Sequence, residues 1–189
     1  MATSTPEVYS PAARHFHWLT FALMAVQVPL GKIMEHRGND LNIWDDLTNT
    51  LYSWHKLIGM VILVLVLARL AYRLTNGAPA DEPTLEPWQK IVSHLTHWGI
   101  YGLLLLVPIL GWVGISYYPA LDVFGFKLPA LVSPNEAMSK KVLIAHALGA
   151  FALVGLIGMH VGAALFHYIV RKDGVLNRML PSLPRRDGR

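Results

Sequence analysis

Residues 142–170 read VLIAHALGAFALVGLIGMHVGAALFHYIV, and this stretch decides the fold. As a helix it is long enough to cross hydrocarbon, which takes about 20 residues. It also carries His146 and His160 within the apolar run. Fourteen residues at roughly 100° each fall about 40° short of four turns, so both imidazoles point nearly the same way. At about 1.5 Å per residue they stand roughly 21 Å apart along the axis. Ionisable side chains inside an apolar span are costly, and two on one face predict two ligand positions stacked through a bilayer.

The rest of the composition agrees. Hydrophobic residues make up 53% and charged residues 15% of the 189-residue chain, too apolar for an ordinary water-soluble domain. Cysteine is absent, which excludes disulfides, thiolate-held iron–sulfur clusters, covalently attached haem and a cysteine nucleophile. Nine histidines remain as the main soft ligands. The net charge of +4 does not point to nucleic acid, because the basic residues sit at the ends of apolar segments instead of on one polar face. The polar N-terminus and the length of the apolar run after it argue against a cleavable signal peptide.

Four apolar runs predict four transmembrane helices, at about 14–34, 54–74, 94–118 and 142–170, in a single membrane-embedded domain spanning 1–189. They lie between a polar N-terminal tail (1–13) and a basic C-terminal tail (171–189). Trp44 and Tyr52 predict an interfacial turn after the first helix, and the semi-apolar stretch 119–141 a segment on the membrane surface. Placing both termini on one side collects Arg14, Arg69, Arg73, Lys90 and the six tail cations, Arg171, Lys172, Arg178, Arg185, Arg186 and Arg189. Lys32, Arg37, Lys56, Lys127, Lys140 and Lys141 fall on the other side. Ten against six predicts that both termini are cytoplasmic.

That topology sets the depth of each histidine. His17 and His160 fall near the inner face, His55 and His146 near the outer face. Two axial imidazoles from facing helices across a planar tetrapyrrole make a low-spin b-type haem suited to electron transfer. The pairs His17/His160 and His55/His146 therefore predict two haems. Interfacial hydrogen-bonding histidines are the alternative, and His94 and His97 compete with His17 on spacing alone. His15 and His36 read as solvated. His167 lies seven residues after His160 on nearly the same face, open to a structural or a proton-exchanging role. Zinc would want three or four ligands at one point, and these histidines separate into two depths. Gly59, Gly149, Gly155, Gly158 and Gly162 leave room beside the backbone for a flat macrocycle, although Gly158-x-x-x-Gly162 also suits plain helix packing. Arg69, fourteen residues after His55, faces the interior at the inner depth and is placed to neutralise a haem propionate; a lipid-facing, snorkelling arginine is the alternative.

Taken together, several motifs resemble the prokaryotic cytochrome b561 family. They are His17-Trp18, Trp54-His55-Lys56 with Gly59 and Ala68-Arg69-Leu70, and His94-x-x-His97 before Tyr101. They continue through His146, His160-x-Gly-Ala-Ala-Leu-Phe-His167 and Lys172-Asp173-Gly-Val-Leu-x-Arg178-Met179, over residues 11 to about 181. The resemblance implies a four-helix di-haem protein of the bacterial inner membrane with His17, His55, His146 and His160 on haem iron, and His94 and His97 around the inner haem or a quinone. It also implies an oxidoreductase taking electrons from superoxide at the outer face and passing them to ubiquinone. Lys56, Lys140 and Lys141 are candidates for drawing in the anionic donor, and His167 for supplying protons. The alternative is a cytochrome b subunit relaying electrons between a partner dehydrogenase or hydrogenase and the quinone pool.

Overall fold

The computed structural model describes residues 8–184, so most of the polar N-terminal tail and Arg185, Arg186 and Arg189 of the charge tally lie outside the described residues. Four helices carry the fold: α1 (Pro11–Glu35), α2 (Asp46–Asn76), α3 (Pro87–Tyr117) and α4 (Glu136–Phe166). Each starts three to eight residues before its apolar run, because polar caps and not hydropathy set the starts. The Ser10 hydroxyl accepts from Ala13 N–H with Pro11 in the first position, and Asp45 accepts from Thr48 N–H. Glu86 and Gln89 form a reciprocal capping box at Pro87, and Asn135 accepts from Met138 N–H. At the other end of α2, Gly77 takes φ 73°, a conformation that costs glycine little.

α1 packs mainly on α2 and α3 on α4, and α2 against α3 joins the two hairpins. Among the described residues, α2, α3 and the helix 136–171 are long and apolar enough to cross a membrane. α1 is not in that set; its 25 residues are interrupted by Arg14, His15, His17, Gln27 and Lys32. The buried core is a layer of Ile62 and Val66 from α2, Tyr101 and Leu104 from α3 and Leu153 from α4, with Leu23 and Met24 of α1 against it. Leu153 is seven residues from His146 and seven from His160, so an apolar plug roughly 10 Å from each ring separates them.

The ends of the bundle differ. At the end where the described chain begins and ends, called the terminal end, Tyr9 N–H donates to Arg178 O at 3.2 Å, Trp18 Nε1 to Met179 O at 3.2 Å and Arg171 to Thr84 O at 3.1 Å. At the far end, the 119–135 connection folds over as a two-stranded hairpin, β1 (Asp122–Val123) with β2 (Phe126–Lys127). Trp112 Nε1 donates to Pro129 O at 2.9 Å, Phe124 meets Trp54 edge-on at 5.1 Å, and the Lys56 ammonium donates to Ala120 O and Asp122 O.

Candidate haem site: two imidazole pairs

At the far end, His55 of α2 and His146 of α4 face one another with ring centroids 6.1 Å apart. Two imidazoles each bonded about 2 Å from one shared metal place their centroids roughly 6 Å apart, so the spacing fits axial ligation. Each ring sits against a glycine of a neighbouring helix. A Cβ on Gly31 of α1 would lie 2.9 Å from His55 Cε1, and one on Gly111 of α3 would lie 3.1 Å from His146 Cε1 and Nδ1. His146 Nδ1 meets the Val107 carbonyl at 2.8 Å. Donating there leaves Nε2 with its lone pair for a metal.

At the terminal end, His17 of α1 and His160 of α4 also stand 6.1 Å apart. A third ring intrudes, since His97 of α3 lies 5.0 Å from His160, with Nδ1 2.7 Å from Ser93 O. Five ångströms is short for two rings on opposite sides of one iron, so spacing favours His17 over His97 as the partner of His160. Arg69 donates to His17 Nδ1 at 3.0 Å and lies over the Tyr101 ring at 5.2 Å. It therefore points into the bundle at this pair, and not to lipid. Arg69 and Arg73, with Tyr9, Tyr72 and Tyr101, line a cleft beside it.

Past the terminal-end pair, α4 widens into a turn over His167–Arg171 and stops at Lys172, whose φ of 55° is left-handed. That reversal swings Asp173 back onto the buried His167, with Oδ2 2.6 Å from Nδ1. His94 binds Asp81 at 3.1 Å, His36 binds Asp40 at 2.9 Å, and both are exposed. Of the lysines, Lys140 pairs with Glu136 at 2.8 Å, Lys141 is exposed, and Lys56 is tied to the hairpin carbonyls. Outside the spans, the Thr48 hydrogen bonds and then Arg37 hold the Asp45 carboxyl down at about 2.

The glycines divide. A Cβ on Gly155, Gly158 or Gly162 would meet nothing within 4 Å, so among the described residues the Gly158-x-x-x-Gly162 stripe packs on no other helix. Both of those glycines are two residues from His160, about 160° round α4 from its imidazole, so this open face is not the one a haem held by His160 would occupy. Gly59 makes room for Gln27, and Gly149 for Val107. Spacing within single helices did not reveal Gly31, Gly111 or Gln27, because each meets its histidine across a helix pair. Pro29 and Pro108 close to the two glycines were the available signal.

Facing imidazoles at two levels of an apolar helical bundle are the donor set of a membrane b-type cytochrome. The comparisons agree: the model of the prokaryotic cytochrome b561 family matches residues 8–182, and the chain belongs to that family. Cytochrome b561 homolog 1 of Escherichia coli K12 is 30% identical over 180 residues, covering 92% of this chain and 97% of its own. The probable superoxide oxidase CybB of Yersinia pestis is 34% identical over 134 residues, 68% of this chain and 76% of that one. Cytochrome b562 of Cereibacter sphaeroides is 30% identical over 167 residues, 87% and 89% of the two chains. The protein is a membrane protein of a family that binds b-type haem and carries electrons.

Proposed function

We propose that this chain is a di-haem cytochrome that oxidises superoxide at the far end of the bundle and reduces ubiquinone at the terminal end. The observation that carries it is the repetition of one 6.1 Å imidazole pair at two levels of α4. His55 with His146, and His17 with His160, are the iron ligands. When bound, the haems supply one-electron relay across the low-dielectric core. α1 is the fourth crossing, since its 25 residues run about 37 Å, and its one mid-helix amide, Gln27, is held by the His55 carbonyl. Both termini are cytoplasmic, in a bacterial inner membrane.

Each superoxide gives up one electron and leaves as dioxygen; two electrons and two protons turn ubiquinone into ubiquinol. Lys56, Lys140 and Lys141 provide positive charge at the far end for the anionic donor. His167, its Nδ1 fixed by Asp173, presents Nε2 for proton delivery at the opposite end. Arg69 holds His17 Nδ1 as an acceptor; ligation through Nε2 requires Arg69 to release that nitrogen, which frees the guanidinium for a propionate.

The test is haem quantification followed by stopped-flow mixing with superoxide, with and without a short-chain ubiquinone. Two haems per chain, reduced by superoxide and reoxidised by the quinone, are expected. Two haems that superoxide leaves oxidised would overturn the donor and favour relay from a partner dehydrogenase or hydrogenase. His167→Ala is expected to slow reoxidation by quinone and to leave reduction by superoxide unchanged.

A further inference from the structure

The two far-end imidazoles are built alike up to one atom. His146 lies against Gly111, and its Nδ1 meets the carbonyl of Val107, one turn earlier on α3, at 2.8 Å. His55 lies against Gly31 of α1, where the residue one turn earlier is Gln27. Yet, among the described residues, His55 Nδ1 is buried with no hydrogen-bond partner. Gln27 reaches the same residue with its side chain, for its Nε2 donates to the His55 carbonyl at 2.9 Å. The seat for that amide is Gly59, where a Cβ would stand 3.3 Å from Nε2. The Gln27 Oε1 is likewise buried with no partner among the described residues.

Two buried polar atoms without partners, on residues already bonded to each other, are complementary in sense. An imidazole that gives Nε2 to a metal carries its proton on Nδ1 and needs an acceptor there. A carboxamide oxygen is an acceptor only. Buried polar groups in folded proteins are nearly always paired, because leaving one bare forfeits its hydration with nothing in return.

We propose that Gln27 is a positioning residue for His55, its carboxamide oxygen accepting the Nδ1 proton as the Val107 carbonyl does for His146. The proposal rests on the reading of His55 as a haem ligand. It makes the two ligands of one site unequal. On the His146 side the acceptor is main chain and survives any substitution at 107, whereas on the His55 side it is a side chain. The acceptor behind a ligating imidazole sets its basicity, and through it the reduction potential. Residue 27 is then a single position through which the far-end potential is tuned.

The experiment is a potentiometric titration of the haem absorbance of the full-length holoprotein in detergent, for wild type, Gln27→Glu and Gln27→Met. Glutamate is a stronger acceptor and makes the ligand more basic; methionine fills similar volume and accepts almost nothing. Both variants are expected to keep their haems and to shift the midpoint of the same haem in opposite directions, down for Glu and up for Met, with the other haem unmoved. Loss of one haem in Gln27→Met but not in Gln27→Glu also supports the proposal, since an acceptor is then required. Unmoved midpoints, shifts of one sign in both variants, or equal haem loss in both would overturn it and leave Gln27 a packing residue. His55→Ala tests the underlying reading separately: unchanged haem content there would sink the ligand assignment itself.

Discussion

The two imidazole pairs share a spacing and little else. Both have centroids 6.1 Å apart. The far-end rings are wedged against Gly31 and Gly111. The terminal-end rings lie among Arg69, a third imidazole and the cleft lined by Arg73 and Tyr72. A tight apolar notch fixes ring orientation and excludes water; a cationic, tyrosine-lined surround accommodates anionic groups and moving protons. In the proposed function the two surrounds suit different steps, electron capture without a proton at the far end and proton-coupled reduction at the terminal end. The apolar layer of Ile62, Val66, Leu104 and Leu153 keeps them apart.

Removing one of the proposed ligands is expected to have the largest effect. His146→Ala is expected to cut haem content by half and leave the terminal-end haem with its normal spectrum, and His17→Ala to do the converse. Pyridine haemochrome content with low-temperature spectra reads both. Loss of both haems in each variant would mean that the sites are not separable.

The notches come next. Gly31→Ala puts a Cβ 2.9 Å from His55 Cε1, whereas Gly158→Ala puts one in open space. Overpacking of this kind typically costs about 1–3 kcal/mol. We expect Gly31→Ala to lower the thermal midpoint and perturb the far-end haem, and Gly158→Ala to do neither. Gly114→Ala, whose Cβ would fall within 2.8 Å of Leu143 Cγ, is expected to destabilise the α3–α4 hairpin without changing either haem spectrum. A spectrum that moves only with Gly114→Ala would show that the notches do not set ligand geometry.

These contrasts show what was legible in the sequence. Hydropathy located the helices and the 14-residue spacing on α4 located one member of each pair, because both are patterns within one segment; the partners followed from helix direction, with His94 and His97 competing with His17 on spacing alone. The caps at Asp45, Glu86 and Asn135 were written in the sequence too, but in polar residues outside the apolar runs. Beyond the depth-matched histidines, contacts between helices were not legible. Gly31 meets His55, Gly111 meets His146 and Gln27 meets Gly59 only once two helices have a fixed rotation and register. Likewise the semi-apolar 119–135 segment could be read as lying on a membrane; its hairpin depends on Lys56 and Trp112 from helices far away in sequence. Asp173 lies in the C-terminal Lys172-Asp173-Gly motif, and only the left-handed Lys172 turns it onto His167.

A smaller effect is expected from the charge beside the terminal-end pair. Replacing Arg69 by Gln removes a positive charge beside His17, and a nearby cation favours the reduced state of a redox centre. The terminal-end midpoint is expected to fall while the far-end midpoint holds. Arg69→Lys keeps the charge but not the fork geometry, so it should give a smaller shift. Equal shifts at both haems would place Arg69 in the general field of the protein and not at one pair.

The smallest effect lies outside the spans. Asp45 caps α2, the helix that carries both His55 and Arg69, and Arg37 donates to it at 2.6 Å. The Thr48 hydrogen bonds, first, and Arg37 lower its carboxyl from 3.8 to about 2. A carboxyl depressed on folding adds stability that is fully present above its unfolded value and disappears as pH falls through the folded one. Asparagine caps a helix as well as aspartate does but carries no charge. Asp45→Asn should therefore unfold slightly earlier than wild type at neutral pH, with the gap closing as pH falls from about 4 to about 2. The group is exposed and the gap small, so helix circular dichroism at several ionic strengths is the measurement, with added salt narrowing the gap. A gap that persisted at the lowest pH would mean that Asp45 acts through cap geometry and not charge. The His55 end of α2 would then be held in place, like its imidazole notch, by fit alone.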